Sequence, residues 1–168
     1  MEPDSINLGL LVLRVIVGVV LALHGIAKFR GGIAGVGRWF ESEGLRPGKL
    51  HAYLAALTEI GAGFGLALGL LTPISAMAFI GVMTTAGWVG HRTNGFFIIR
   101  EGWEYVFVLA AAAAAVAATG PGEWSLDNAI GIDWSGPVWF VVAIAGGVAS
   151  TLLLLATFYR PNAPADPG

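Results

Sequence analysis

The stretch LGLLVLRVIVGVVLALHGIAKF, residues 8–29, decides how the rest of the chain is read. A helix needs roughly 20 mostly apolar residues to cross a bilayer, and this run reaches that length with Arg14, His24 and Lys28 as its ionisable interruptions. The segment before it, MEPDSIN, is acidic rather than basic, and no plain A-x-A cleavage site follows. The run is therefore expected to stay as a first membrane span rather than leave as a signal peptide.

Working outward, comparable runs occur at about 50–71, 73–90, 103–119 and 137–159. With 56% hydrophobic and 12% charged residues among 168, the composition lies outside that of an ordinary soluble domain. The expected fold is all-α: a polytopic transmembrane helix bundle forming a single domain over residues 1–159. A proline-rich, polar tail at 160–168 is expected to be disordered and cytoplasmic. Only the LTP turn ending at Pro73 separates the second and third spans, which predicts an antiparallel hairpin with Pro73 opening the third helix. The first loop mixes Ile33, Val36, Trp39 and Phe40 with Arg38, Glu41 and Glu43, a pattern suited to a short interfacial helix. Its plain role is an aromatic-anchored connector; its functional one is a lid over the cytoplasmic end of the bundle.

Of the nine basic residues, all but Arg14 fall, with five spans, on one side of the membrane, which the positive-inside rule makes cytoplasmic. That orientation places the N-terminus outside and the C-terminus inside, as expected of a multi-pass protein of a bacterial cell (inner) membrane. The loop 120–136 carries Glu123, Asp127 and Asp133 without a basic residue. The chain has no cysteine, which excludes disulfides, thiolate metal sites and thiol redox chemistry within it. Phosphate loops, dinucleotide fingerprints, nucleophile elbows and zinc motifs do not occur, and nothing points to nucleic acid.

The ionisable residues inside the spans are the functional candidates, because a charge in hydrocarbon is costly unless paired or hydrated. By a rise of about 1.5 Å per residue, Arg14 lies about 9 Å from the outer end of its span, Glu59 about 18 Å, and His24 and Glu104 about 24 Å, with Lys28 one turn deeper. Arg14, Gly18, Gly25 and Lys28 share one helix face, with His24 beside that stripe. Glu59 must be neutral, paired or in a hydrated pocket. His24 is the residue suited to proton exchange near neutral pH, so His24 and Glu59 are expected to centre a proton-handling pocket with Lys28 and Glu104 at its mouth. Interhelical ion pairing and snorkelling to headgroups are the plainer account of Lys28 and Glu104. Trp88, His91 and Asn94, with Phe96 and Phe97, could line the same cavity for a ring-shaped ligand, although interfacial anchoring explains the Trp equally. A metal set of His24, Glu59, Glu104 and His91 has acceptable donors but no ligand spacing, and no metal is expected. Gly61, Gly65 and Gly69 form a small-residue face for another span or for a second copy of the chain, and Gly146, Gly147 and Ser150 offer another close approach.

Three stretches together resemble the DoxX family of small bacterial membrane proteins. LRVIVGVVLALHGIAKF carries its Arg14, Gly18, His24, Gly25, Lys28 and Phe29 pattern. The stretch GVGRWFESEGLRPGKLHAYLAALTEIGAGFGLALGLLTP carries Glu59, Gly63, Gly69 and Thr72. GPGEWSLD carries Gly120, Gly122, Ser125 and Asp127. The resemblance, over about residues 8–130, implies a four-helix core to which 137–159 adds a fifth span. It also implies a quinone-linked redox role in oxidative stress or sulfur metabolism, since DoxD relatives are associated with thiosulfate oxidation coupled to quinone. Other members are associated with complexes containing superoxide dismutase and a sulfurtransferase. On that reading quinone is the implied cofactor, the buried acid and histidine handle its protons, and Arg14 or Lys28 holds an anionic substrate. Three functions stay open: a quinone-linked oxidoreductase component, a non-catalytic anchor for an oxidoreductase or respiratory complex, and a small proton or solute transporter.

Overall fold

The computed structural model describes residues 3–161 and is all-helical apart from one isolated bridge pair. The helices are α1 (Pro3–Arg30), α2 (Ile33–Ser42), α3 (Gly48–Leu68), α4 (Thr72–Ala86), α5 (Glu104–Thr119), the single turn α6 (Leu126–Ala129) and α7 (Pro137–Phe158). A π-helical turn, Gly87–His91, and a 3-10 turn, Arg92–Asn94, prolong α4. Among the described residues four helices are long and apolar enough to cross a membrane: α1, α3, α4 with its prolongation to Asn94, and α7. The fifth expected span, α5, is apolar but has 16 residues, about 24 Å of helix rise. It begins only at Glu104, after the separate 3-10 turn Ile98–Arg100. The tail expected to be disordered lies, from residue 162, outside the described residues; Arg160 donates its amide to the Gly44 carbonyl at 2.6 Å.

Glycines set the closest helix contacts. On α1 the buried residues Arg14, Val17, Gly18, Leu21, Ala22 and Gly25 form the stripe that faces α3. A Cβ on Gly63 would lie 2.5 Å from the Gly18 carbonyl oxygen, and one on Gly25 would lie 2.6 Å from the Ala56 carbonyl oxygen, so α1 and α3 meet almost backbone to backbone. The expected face of Gly61, Gly65 and Gly69 is not one surface. Gly61 faces open space, Gly65 packs on Ser75, and Gly69 is the left-handed cap ending α3, at φ 63°. Gly63 is two residues from Gly61, about 200° of helix rotation, so the stripe facing α1 runs instead through Ala56, Glu59, Gly63 and Ala67.

Helix α4 packs against α3, α5 and α7. Gly146 and Gly147 of α7 abut Met77 and Ile80 of α4, and Thr151 donates to the Gly81 carbonyl at 2.9 Å. The C-terminal span is thus a full wall of the bundle rather than an appendage.

One end of the bundle is closed by the loop 120–136. Asp127 is buried and accepts from the amides of Leu71 and Thr72 and from the Thr72 hydroxyl at 2.6, 2.8 and 2.7 Å. These bonds hold Leu71 at φ 45°, a left-handed conformation costly for a branched side chain. At the other end α2 lies against the start of α3, where the Glu41 carboxylate accepts from the Gly48 amide at 3.1 Å. The chain at Gly44–Arg46 then joins the end of α7 through the Leu45 and Tyr159 bridge and the Arg46 amide, which donates to the Phe158 carbonyl at 3.1 Å.

Candidate functional site

Glu59 is buried on the face of α3 that meets α1, and Lys28 lies at the end of the α1 stripe opposite it. The Lys28 Nζ donates to Glu59 Oε1 at 2.7 Å and to Oε2 at 2.6 Å. By helix rise alone these residues lie at neighbouring depths, with His24 expected at the centre and Lys28 at the rim. In the structure the acid's partner is the lysine, and no hydrogen bond joins His24 to Glu59 among the described residues. The pairing follows from the stripe: Lys28 continues the α1 face that touches α3, while His24 is rotated to its side.

The ion pair lines a cavity of about 560 Å³ bounded by α1, α3, α4, α5 and α7, with Trp39 and Phe40 of α2 at its wall. Most of the lining is apolar, including Leu21, Leu54, Met77, Val82, Leu109 and Leu154. The polar exceptions include Lys28, Glu59, His24, His51, His91 and Tyr105. Apolar walls with a few convergent polar groups, at this volume, match the ordinary character of a small-molecule site. His24 is exposed at the cavity's edge, 6.4 Å from the Tyr105 ring.

The remaining candidates separate. Glu104 does not reach the cavity; its Oε2 accepts from the Ile98 amide at 2.9 Å and so ties the preceding turn to the start of α5. Tyr105, the next residue and about 100° further round the helix, takes the place expected for it. His91 does line the cavity, with its Nδ1 2.7 Å from the Glu101 carbonyl oxygen. Asn94 does not: its Nδ2 donates to that same carbonyl at 3.2 Å, holding the left-handed Glu101, at φ 60°. Trp88 faces away into a shallow groove with Trp103 and Phe107, where the Arg92 guanidinium lies 4.5 Å over its ring.

Arg14 is buried at the opposite end, where its guanidinium donates to the carbonyls of Ala67 and Trp124. It therefore clamps the loop 120–136 onto the end of α3, helped by Asn7, which exchanges hydrogen bonds with Glu123 at 3.0 and 2.9 Å. Arg14 is engaged with protein, not lining the cavity, and Lys28 is engaged with Glu59. Among the described residues no group of three His, Cys, Asp or Glu side chains is placed to hold a metal, so His24, Glu59, Glu104 and His91 are not assembled as a donor set.

Sequence reasoning missed His51 and Tyr105. His51 opens α3, where a histidine reads as an interfacial polar residue; its eight-residue offset from Glu59, two helical turns along, was the available signal. Tyr105 was hidden beside the more conspicuous Glu104.

A family model described as DoxX matches residues 9–92. A Bacillus subtilis (strain 168) protein named "Putative oxidoreductase CatD" is 37% identical over 85 residues, covering 48% of this chain and 61% of that relative. The chain thus matches less than two thirds of the relative's length. No solved structure matches. The family match contains His24, Lys28, Glu59 and His91 and ends before the 120–127 loop, whose motif also resembles the family.

Proposed function

The chain belongs to the DoxX family of membrane proteins, and on that premise we propose that it is a quinone-linked oxidoreductase component that binds the quinone headgroup in the cavity walled by Lys28 and Glu59. The observation that carries the proposal is an apolar cavity with a buried ion pair in its wall and an imidazole at its edge. The similarity to a relative named as an oxidoreductase supports the same reaction class.

A bound quinone supplies a two-electron, two-proton acceptor. The chain's own contribution is positional and protonic. The mainly apolar walls accept the ring and exclude bulk water, and Lys28 keeps the Glu59 carboxylate in one orientation at the wall. On this reading His24, exposed at the cavity edge, is the residue that passes protons to and from the bound ring. The Tyr105 hydroxyl is a further donor at that edge. Because Lys28 is already neutralised by Glu59, the pocket favours a neutral ring over an anionic substrate.

The test is equilibrium titration of the purified protein in lipid nanodiscs with a short-chain quinone analogue, comparing wild type with Glu59→Gln and His24→Ala. Saturable binding, weakened about tenfold or more in Glu59→Gln, is expected, as for loss of a charge-assisted contact. Absence of binding together with stoichiometric co-purification of soluble enzymes would favour the anchor reading, and a Glu59-dependent solute flux in proteoliposomes would favour transport.

A further inference from the structure

The cavity has a second polar pole that proton handling at Glu59 does not use. His51 stands in the first helical turn of α3, is 3% exposed, and lines the cavity. Among the described residues neither ring nitrogen makes a side-chain hydrogen bond of full geometry. The Arg46 backbone also bears on the ring and can engage at most one of its two nitrogens, which leaves the other to the cavity. An imidazole always presents at least one N–H and, when neutral, one lone pair, so burying either without a partner is unfavourable. The ring is fixed by packing, edge-on to Phe158 of α7 with centroids 4.8 Å apart.

The two poles lie along one wall. His51 and Glu59 are eight residues apart on α3, about 12 Å of rise, and Leu54, Ala55 and Thr58 between them line the same cavity. The charged pole is self-compensating, because Lys28 and Glu59 neutralise each other.

We infer that His51 is a ligand-binding residue, hydrogen-bonding a carbonyl or hydroxyl oxygen of a neutral, mostly apolar ligand that lies along α3 toward the Lys28–Glu59 pair. The inference rests on the cavity being the quinone-class site proposed above, and adds a contact at its other end, against α2 and α7. Such a contact selects ligands by the position of an oxygen and not by charge. It also gives the C-terminal span a part in recognition, since Phe158 holds the ring in place.

The experiment uses the same nanodisc-held protein and short-chain quinone analogue, with His51→Leu and His51→Gln beside wild type and Glu59→Gln. We expect His51→Leu to weaken binding about tenfold and His51→Gln, which keeps a donor and an acceptor, to stay within about threefold of wild type. Wild-type affinity in His51→Leu, with Glu59→Gln still impaired, overturns the role of His51 and leaves the cavity reading standing. No saturable binding by the wild type overturns both. Should His51→Leu fail to fold, the 15N ring resonances of the three histidines in the wild type decide. The His51 signal, assigned through His51→Gln, shifts on saturation with the analogue; a His51 signal unchanged at saturation means the ring is bonded to water only and overturns the proposal.

Discussion

Lys28 and Glu59 show how a charge survives inside an apolar bundle. Each alone would carry a large desolvation cost; together, with two short contacts of 2.7 and 2.6 Å, they offset it. The Glu59 side chain is 7% exposed and that of Lys28 22%, so the acid is the more dependent partner. Removing the lysine should hurt more than removing both. Lys28→Met is expected to lower stability by about 3 kcal/mol, and the double change Lys28→Met with Glu59→Leu to recover most of that loss. Denaturant unfolding in mild detergent measures both. A double variant no more stable than the lysine variant alone would mean that the buried acid is not what makes the single change costly. The depth of Glu59 and the shared face of Arg14 and Lys28 could be read from spacing alone. Which cation met the acid could not, because the rotation of one helix against another is set by contacts of both.

At the scale of the elements, the α1 and α3 pair is the tightest joint, and its glycines differ sharply in what they do. Gly63 leaves room for the backbone of Gly18 and Ala22, whereas Gly61 faces open space. Gly63→Leu is therefore expected to cost about 3 kcal/mol or prevent assembly, by overpacking against atoms that cannot move aside. Gly61→Leu is expected to stay within about 0.5 kcal/mol of the parent. Thermal unfolding of the two variants under one detergent condition compares them. Equal losses would place the joint elsewhere. A four-residue glycine spacing announces a close approach but does not say on which glycines it falls. Here three glycines in register proved to be an open position, a contact with Ser75 and a helix cap, and Gly63, outside the register, made the joint.

For the whole molecule, the distribution of charge predicts an orientation with the loop 120–136 outside and α2 inside. The absence of cysteine makes this directly measurable. Asp133 and Arg38 are both exposed, so single cysteines there report on opposite ends of the bundle. Asp133→Cys is expected to react with a membrane-impermeant maleimide in intact cells, and Arg38→Cys only after permeabilisation. The reverse pattern would invert the protein and put the His51 end of the cavity outside. The fold gives the two ends different characters. One is clamped by Arg14 and Asp127 through buried bonds to backbone groups. The other is covered by a short amphipathic helix with Trp39 and Phe40 at the cavity wall.

The sequence by itself determined the all-helical membrane class, the α3–α4 hairpin at Pro73 and the family, because hydrophobic length, proline placement and motif order are local properties of the chain. It also singled out Glu59 and His24, with Lys28 and Glu104 nearby, as ionisable residues inside the spans, although it could not separate a structural ion pair from a site. Only the tertiary structure decided that Lys28 pairs with Glu59, that Tyr105 and not Glu104 meets the cavity, and that Arg14 clamps a loop. It alone shows His51 buried in the cavity wall with no side-chain hydrogen bond among the described residues. These are facts of relative rotation and of distance between segments remote in sequence. They are fixed by side chains from several helices packing at once, information that no single stretch contains.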